Sequence, residues 1–329
     1  MELCALEYLQ HAKNLLAFSA GSDSSALFFA LVERNIPFDL AIVDYGLRPQ
    51  SKEEVAYARK LADRYEKRIY IHETHIKPPR FEEKARKERY RFFESIIHAH
   101  GYDNLITAHQ LNDQFEWLLM RMAKGAGVVE MVGMDVVSQR EGYRLVRPML
   151  YVPKERIYAY LHEHNIRYFE DSTNYDETIE RNFIRHNFSD PFVKRFAPGL
   201  IKSLHYLHED KRLLVHHIAA IEELHYAPNP HDSYAIKRIF DRMAKRLGYL
   251  LSTKQKEEIL RQGAGVVAGR LAFAVTKHTI FMAPFVQTKL PKSEREKLRR
   301  LKIPPPLRGY VATKRLEERV GTLLKQNLS

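Results

Sequence analysis

The 329-residue sequence predicts an α/β protein, in which a doubly wound parallel sheet of about five strands precedes a helical linker and a small α+β domain. Short apolar strands alternate with stretches long enough for crossover helices through the first half of the chain. A turn of small residues follows the first strand, which is where such sheets bind ligands. Further along, the Pro228-Asn229-Pro230 turn marks the start of a second set of elements.

The predicted strands are short apolar runs, and the residues after each one are candidates for the ligand crevice. The strands are residues 15–18, 40–44, 69–72, 105–108 and 145–146. The segments that follow them are residues 19–24, 44–48, 75–77, 109–116 and 147–148. Because the carboxyl ends of parallel strands share one edge of the sheet, we expect these segments to lie close together.

The rest of the chain divides into a linker and a smaller domain. Helices are predicted at residues 153–164, 200–224, 233–247 and 253–262, and a hairpin at residues 270–274 and 279–283. We therefore expect domains at residues 1–199 and 228–329, joined by a helical linker at residues 200–227.

Composition and charge favour a polyanionic partner and exclude several classes of protein. Hydrophobic residues make up 45% of the sequence, which rules out global disorder, and the longest apolar run, residues 26–32, is too short to cross a bilayer. Acidic Glu2 and Glu7 stand where a secretory signal would be, and the lone Cys4 excludes a disulfide framework, so the cytoplasm is expected. The net charge is +12, and residues 286–329 alone carry twelve Lys and Arg against four Glu. This basic tail is either a solvated charge run or a phosphate-contacting surface.

The turn after the first strand, Ser19-Ala20-Gly21-Ser22-Asp23-Ser24, predicts an anion site. Strand, small-residue turn and helix start place free backbone N–H groups and the positive end of a helix dipole around one point. A Walker loop would carry a Lys beside its Ser or Thr, whereas this turn carries Asp23. Since a carboxylate repels phosphate unless a cation lies between them, Asp23 predicts a bridging Mg²⁺. The alternative is an ordinary helix N-cap.

This turn resembles the PP-loop, SxGxDS, of the N-type ATP pyrophosphatases, which split ATP between the α and β phosphates. Four further groups of residues, in their order and spacing, resemble the tRNA(Ile)-lysidine synthetase family within that superfamily. They are residues 43–48 with Ser51 and Glu54, residues 85–86 with 89–90, residues 107–116, and residues 170–174 with Arg181, Asn182 and Arg185. The resemblance is strong over residues 13–195 and weak beyond them.

Four positions depart from the family pattern. Ala20 stands where the family usually has Gly, and Tyr45 stands where it has His. Asn112 replaces the first of two aspartates, and Trp117 replaces the small residue that follows the Glu. Asn112 counts against any role that needs two adjacent carboxylates at this position.

The resemblance implies an ATP-dependent ligase that joins L-lysine to C2 of the wobble cytidine, position 34, in the isoleucine tRNA with a CAU anticodon. It implies an adenylated cytidine intermediate, release of AMP and PPi, and the cofactors ATP and Mg²⁺. The implied partners are that tRNA and L-lysine, without a membrane. The oligomeric state stays open, with a homodimer as one option. The C-terminal domain and its basic tail are then expected to bind tRNA.

The helix after the fourth strand carries two carboxylates on one face. At 100° per residue, Asp113 and Glu116 lie opposite an apolar face made of Phe115, Leu118, Leu119 and Met122. Without the resemblance, the polar face would be the solvated side of an amphipathic helix. With it, the first turn is expected to open onto the crevice.

Five residues are expected to be catalytic: Asp23, Asp44, His109, Asp113 and Glu116. We assign Asp113 and Glu116 to lysine binding and proton transfer, because the lysine ε-amine has a pKa near 10.4 and needs a base at neutral pH. Asp44 is expected to contact the nucleotide or the lysine amine, and His109 to support them, although an exchange of these roles stays open. Alternatively, His109 is a packed residue that caps the helix.

The remaining site residues are assigned to ATP, metal and tRNA. The expected ATP-binding residues are Ser19, Ala20, Gly21, Ser22, Asp23, Ser24 and Arg89, and Asp23 is the expected Mg²⁺ ligand. The expected tRNA-binding residues are arginines, because guanidinium groups match phosphate geometry: Arg86, Arg147, Arg181 and Arg185. Surface ion pairing is the alternative for each arginine.

Three other functions compete with this one. A PP-loop tRNA thiolase would need a cysteine pair or an iron–sulfur cluster, which the lone Cys4 does not offer. A small-molecule amidating ligase of the same superfamily is disfavoured by the basic tail and the extra domain. A non-catalytic RNA-binding protein with a degenerate loop is disfavoured by the intact Asp23, Asp113 and Glu116.

Overall fold

The computed structural model of the chain describes residues 1–46, 50–75, 81–170 and 175–326. The chain divides into two compact units, Met1–Arg212 and Leu213–Ser329. Residues 47–48, 76–77 and 171–174, which belong to segments singled out in the sequence, lie outside the described residues.

The first unit is built on a six-stranded sheet. Its strands are β1 Asn14–Ala17, β2 Asp39–Asp44, β3 Ile69–Glu73, β4 Asn104–Ile106, β5 Val137–Arg140 and β6 Tyr143–Val146. They lie in the order β3-β2-β1-β4-β6-β5, and all pairs except β5–β6 are parallel. The doubly wound α/β fold is therefore confirmed. Because β1 lies between β2 and β4, the connections diverge there and open a crevice beyond the carboxyl ends of β1 and β4.

Helices cover both faces of this sheet. They are α1 Ser22–Glu33, α2 Gln50–Arg64, α3 Phe81–His100, α4 Leu111–Ala123, α5 Val128–Met131, α6 Lys154–Glu163, α7 Glu180–Ile184 and α8 Asp190–Leu214. Successive residues of β1 point to opposite faces, so Leu16 packs with Phe28 of α1, and Leu15 packs with Phe93 of α3. This alternation divides the apolar core of the first unit into two layers.

The predicted sheet lacked β5, which pairs antiparallel with β6 across a turn at Glu141-Gly142. Gly142 has a φ of +79°, which glycine adopts without strain. The strand reads Val-Ser-Gln-Arg and lies at the sheet edge, with a single apolar residue. Hydrophobic periodicity therefore gives no signal for it.

The predicted helix at residues 200–224 is wrong at both ends. Helix α8 begins at Asp190 and ends at Leu214, and its backbone is non-helical at Phe196, two residues before Pro198. Because a proline usually marks a helix boundary in a sequence, Pro198 led the prediction to omit the first ten residues of α8.

Strands replace the last part of the predicted helix. They are β7 Ala219–Ile221 and β8 Leu224–Pro228. The apolar spacing of these residues fits a helix as well as two strands, but Glu222 has a φ of +53° and reverses the chain. The expected linker at residues 200–227 is therefore split between the two units and is not a separate helical segment.

The second unit is an antiparallel sheet between two helical layers. With β7 and β8, its strands are β9 Ala264–Val267, β10 Leu271–Val275 and β11 Thr279–Pro284, in the order β7-β8-β11-β10-β9. Its helices are α9 Ser233–Arg246, α10 Thr253–Gln262, α11 Lys292–Arg300, α12 Arg308–Thr313 and α13 Glu317–Gln326. The predicted hairpin is confirmed as β10 and β11. Within the described residues, no helix combines the length and apolar character needed to span a bilayer.

The basic tail is a folded layer of the second unit. Leu298, Ile303, Tyr310 and Val320 are buried against Phe281 of the sheet. The alternative in which the tail is a separate solvated charge run is therefore wrong, because apolar residues between the charges cover one face of the sheet. Exposed Lys and Arg side chains remain on the outer surface of this layer.

Candidate active site

The turn between β1 and α1 forms the predicted anion loop. The Ser24 hydroxyl accepts a hydrogen bond from the Ser19 N–H at 3.2 Å and donates one to the Gly21 carbonyl at 3.1 Å. Gly21 is the N-cap of α1 and offers no side-chain cap, so the helix presents its first-turn N–H groups to the loop. Together with the positive end of the helix dipole, these groups suit a phosphate.

A lysine from a distant part of the sequence contacts this loop. Lys154, the first residue of α6, donates hydrogen bonds from Nζ to Ser22 Oγ at 2.8 Å and to Asp23 Oδ1 at 2.5 Å. The chain therefore supplies a cation to the loop, although no lysine stands beside it in sequence. Its only sequence signal is its position at the start of the helix that follows the crevice segment 147–148.

Burial and pairing act against each other in the Asp23–Lys154 pair. Burial raises the pKa of Asp23, and the adjacent Lys154 opposes this change. Burial lowers the pKa of Lys154, but the Asp23 carboxylate outweighs it and raises that pKa above its ordinary value. The ammonium group is therefore charged at neutral pH, and it stabilises the charged form of the half-buried Asp23 carboxylate.

Helix α4 begins directly beyond β4 with a capping box. Gln110 Oε1 accepts a hydrogen bond from the Asn112 N–H at 2.6 Å, and Asp113 Oδ2 accepts one from the Gln110 N–H at 3.1 Å. These bonds fix Asp113 in the first turn of the helix. Gln110 is the cap, so the alternative in which His109 caps the helix is wrong.

Two arginines hold both carboxylates of α4. Arg181 donates from Nε to Glu116 Oε2 at 2.7 Å and from Nη2 to Asp113 Oδ1 at 2.5 Å. Arg185 donates from Nε to Glu116 Oε1 at 2.7 Å and from Nη2 to Oε2 at 3.2 Å. We call these four residues the carboxylate–arginine cluster. The Glu116 side chain is 0% exposed, whereas that of Asp113 is 12% exposed.

Burial and nearby charges set the protonation states of Asp113 and His109. Burial raises the pKa of Asp113, but Arg181 and His109 outweigh it and leave that pKa below its ordinary value. Burial lowers the pKa of His109 to about 4, against the opposing charge of Asp113. His109 is therefore neutral at pH 7, and its Nδ1 forms a hydrogen bond with Thr107 Oγ1 at 2.9 Å.

Three other predicted residues border the crevice less directly. Asp44 ends β2, and its Oδ1 accepts a hydrogen bond from the Gly46 N–H at 2.8 Å. Arg89 is half-buried on α3 and lowers the pKa of Tyr45, which burial raises. Arg86 is exposed on the same helix, and its charge acts on His109.

Arg147 is not placed to contact tRNA. The residue is 5% exposed, and its Nη1 donates to the Asp135 carbonyl at 2.6 Å and to Ser138 Oγ at 3.0 Å. It ties the end of β6 to the chain that enters β5. The prediction of a tRNA contact is therefore wrong for this arginine as the protein is folded here, because its guanidinium group is used inside the first unit.

Comparisons with known proteins show the family of this chain. A family model described as a PP-loop domain matches residues 2–191. A tRNA(Ile)-lysidine synthase from Wolinella succinogenes is 44% identical over 307 residues, which cover 92% of this chain and 94% of that protein. Proteins of the same name are 41% identical in Campylobacter jejuni, over 95% of this chain and 96% of theirs, and 37% identical in Helicobacter pylori, over 95% and 93%.

This chain belongs to the tRNA(Ile)-lysidine synthase family. It is an ATP-dependent ligase with a PP-loop ATP-binding domain. Among solved structures, the chain is similar to the U34-tRNA thiolase NcsA from Methanococcus maripaludis with its [4Fe-4S] cluster. That similarity has a TM-score of 0.53 at 16% identity and covers 62% of this chain and 73% of the thiolase chain. At this identity the likeness is one of fold alone.

Ala20 occupies the loop position where the lysidine synthase family is expected to have glycine. Its φ is +59° and its side chain is fully buried. Its carbonyl accepts a hydrogen bond from the Phe169 N–H at 3.0 Å, which joins the loop to the chain after α6. A left-handed conformation costs a non-glycine residue about 1–2 kcal/mol, so the methyl group is tolerated at the expense of some strain.

Asn112 replaces the first of the two aspartates that the family pattern leads us to expect. Its Nδ2 donates to Asp190 Oδ1 at 2.7 Å, and its Oδ1 accepts from the Lys154 N–H at 3.2 Å. An amide can donate and accept at once, whereas an ionised aspartate can only accept. Asn112 therefore joins α4 to α6 and α8, and a single carboxylate, Asp113, occupies the first turn of α4.

Trp117 fixes the short helix α5 against α4. Its Nε1 donates to the Glu130 carbonyl at 3.2 Å, and the Arg121 guanidinium lies 5.5 Å from its ring centre. The indole ring lies against Gly133, where an added Cβ would stand 2.0 Å from the Trp117 Nε1. The absence of a side chain at Gly133 is therefore what allows the ring to lie there.

Replacing Gly133 by alanine is expected to displace the indole ring and to lower the free energy of unfolding by about 1–3 kcal/mol. Urea unfolding followed by the fluorescence of Trp117, the only tryptophan, measures this loss. Gly199→Ala is the matched control, because nothing lies within 4 Å of its added Cβ. Equal stabilities of the two variants would contradict the packing of Trp117 on Gly133.

Proposed function

We propose that this member of the lysidine synthase family joins L-lysine to C2 of the wobble cytidine of the isoleucine tRNA with a CAU anticodon. The observation that carries the proposal is a formally neutral set of three carboxylates and three cations at the carboxyl edge of the sheet. It consists of the Asp23–Lys154 pair on the loop and the carboxylate–arginine cluster. Such a set offers cations to an anionic nucleotide and carboxylates to a cationic amine.

ATP is proposed to bind with its phosphates at the loop. The first-turn N–H groups of α1 and the Lys154 ammonium then hold the phosphates that leave as PPi. The Asp23 carboxylate fits a Mg²⁺ ligand, since it lies in the loop with 28% of its side chain exposed, and Mg²⁺ usually takes one or two carboxylates together with phosphate oxygens. When bound, Mg²⁺ would neutralise charge on the departing PPi.

Lysine is proposed to bind after ATP, through an exchange of ionic partners. Phosphate oxygens compete with the carboxylates for Lys154 and for the arginines of the cluster. Asp113 keeps some exposed surface, so it is the carboxylate best placed to accept the substrate ammonium. Removing Arg181 from Asp113 also raises the pKa of that carboxylate and makes it a stronger base. Glu116 is fully covered, so its predicted contact with lysine requires an arginine to move first.

The proposed reaction consists of two substitutions. O2 of the cytidine attacks the α-phosphorus of ATP, the bond from that phosphorus to the bridging oxygen breaks, and PPi leaves. The ε-amine of lysine then attacks C2, the C2–O2 bond breaks, and AMP leaves with the oxygen. The ε-ammonium must lose a proton before its attack, and Asp113 is the proposed acceptor. His109, neutral at pH 7, is proposed to position Asp113.

Release of PPi from ATP tests this function directly. We expect release that requires the isoleucine tRNA transcript, followed by transfer of radiolabelled lysine to that RNA. A transcript with uridine at the wobble position is the control and should support neither step. Adenylation without lysine transfer, or sulfur incorporation in place of lysine, would contradict the proposal.

The second unit is proposed to hold tRNA through the outer surface of its folded basic layer. Lys292, Arg295 and Arg299 are exposed on α11 at spacings of three and four residues, which place them on one side of the helix. Replacing all three by glutamine should weaken tRNA binding and lower the log–log salt slope by about 0.7–0.9 for each phosphate that the protein no longer neutralises. Fluorescence anisotropy with labelled tRNA at several salt concentrations measures both effects.

The control for this triple variant removes the same charge elsewhere. Arg59, Lys60 and Arg64 are exposed on α2, and their replacement by glutamine should leave the salt slope unchanged. If both triple variants change the salt slope equally, tRNA binding depends only on the net charge of the protein. That result would contradict the proposed contact between tRNA and α11. ATP binding without tRNA should be the same in both variants.

A further inference from the structure

Four phenylalanines form an exposed series along the chain from α7 into α8. Phe183, Phe188, Phe192 and Phe196 are 45%, 52%, 42% and 48% exposed. The ring centres of Phe183 and Phe188 are 5.8 Å apart, and those of Phe192 and Phe196 are 5.0 Å apart. We call these four residues the aromatic surface. Large apolar side chains that remain this exposed usually mark a binding surface.

The aromatic surface follows the same consecutive helical segments that carry the two arginines of the cluster. Phe183 lies between Arg181 and Arg185 in sequence, and Phe188 lies in the π-helical segment Arg185–Ser189 that follows. Phe192 packs on Phe115 of α4, with the ring centres 4.9 Å apart, on the face of that helix opposite Asp113 and Glu116. A ligand that stacks on these rings would therefore lie along the segments that also carry Arg181 and Arg185.

Positive charges accompany the rings. The Arg195 guanidinium lies 5.4 Å from the ring centre of Phe196, and the Lys202 ammonium lies 5.8 Å from that of the exposed Tyr206. Alternating aromatic rings and cations are typical of sites for single-stranded nucleic acid, in which bases stack and phosphates pair with Arg or Lys.

We propose that the aromatic surface binds the unpaired bases of the tRNA anticodon loop by stacking, and so delivers the wobble base to the cluster. This inference rests on the proposed tRNA substrate. Sequence-specific RNA binding proteins commonly splay unpaired bases onto aromatic rings. A second copy of the chain is a poorer occupant, because a two-fold interface would bring the same cations of both copies together.

The test uses the full-length protein with Phe188 and Phe196 both replaced by alanine. The probe is a fluorescent hairpin that carries the CAU anticodon loop, and a duplex of the same stem without a loop is the second probe. We expect about a tenfold to hundredfold loss of hairpin affinity, since stacking one base contributes about 1–3 kcal/mol and 1.4 kcal/mol is tenfold. Duplex affinity should stay within about twofold.

Two further variants separate stacking from loss of folding. Replacing both residues by tryptophan should restore hairpin affinity, because the larger rings still stack. Tyr8→Ala is the matched control: Tyr8 is an exposed aromatic with the Arg144 guanidinium 5.5 Å from its ring centre, but it lies beside the amino ends of β1 and β4. This variant should bind the hairpin like the unaltered protein.

Several outcomes would overturn the inference. Hairpin affinity that is unchanged in the double alanine variant rejects stacking on these rings. A dimer that this variant converts to monomers in sedimentation, with hairpin affinity unchanged, assigns the surface to a second copy. If the unaltered protein shows no tRNA-dependent PPi release, the proposed function fails, whereas unchanged hairpin binding with intact PPi release rejects the aromatic surface alone.

Discussion

Replacement of Asp23 by asparagine is expected to lower tRNA-dependent PPi release by about 10²–10³-fold, a loss typical of removing one electrostatic contact at a reacting group. The carboxylate lies on the phosphate loop, 2.5 Å from Lys154 Nζ, and it is the proposed Mg²⁺ ligand. An amide keeps the size of the side chain but removes the charge that holds both cations in place. Initial rates of PPi release at several Mg²⁺ concentrations measure the effect.

The affinity for tRNA should change little in this variant, because Asp23 acts on the nucleotide and its cations. Lys154→Met should weaken ATP binding as well, since the ammonium is proposed to contact phosphate. Asp63→Asn, an exposed carboxylate on α2, is the control and should behave like the unaltered protein. Normal PPi release by the Asp23 variant would reject the role of this carboxylate in adenylation.

Replacement of Glu116 by glutamine should have the largest effect on stability, lowering the free energy of unfolding by about 3 kcal/mol. The carboxylate is fully covered and accepts hydrogen bonds from both Arg181 and Arg185. Glutamine removes the carboxylate that accepts hydrogen bonds from both guanidinium groups and leaves Asp113 as the one anion beside them. Urea unfolding followed by Trp117 fluorescence measures the loss, and PPi release and lysine transfer should both decrease because the cluster loses its geometry.

Asp113→Asn is the comparison for this variant, because Asp113 keeps exposed surface and is the proposed proton acceptor. Here lysine transfer should fall more than PPi release. Because the arginine contacts lower the pKa of Asp113, its contribution to stability is present above the unfolded pKa of about 3.9 and is lost as the pH falls towards the lower folded value. A stability loss below about 1 kcal/mol for Glu116→Gln, or equal loss of both activities for Asp113→Asn, would contradict these assignments.

Local sequence patterns were sufficient for the doubly wound fold of the first unit and for the positions of several site residues. The alternation of apolar strands and helices predicted the doubly wound sheet, and the small-residue turn predicted the loop at Ser19–Ser24. The 3.6-residue period placed Asp113 and Glu116 on one face of α4, because residues three apart on a helix lie on the same side. The order and spacing of the motifs also predicted the family, and the curated relatives confirm that prediction.

The partners of those residues depended on tertiary structure. Lys154 contacts the loop because α6 begins at the carboxyl edge of the sheet, 131 positions from Asp23 in sequence. The same edge brings Arg181 and Arg185 onto Glu116, whereas the predicted tRNA contact Arg147 turns inward to backbone groups of its own unit. The sequence alone does not show whether a charged side chain pairs with another charge, binds a ligand or faces solvent. The free energy of each arrangement depends on neighbouring groups that only folding brings together.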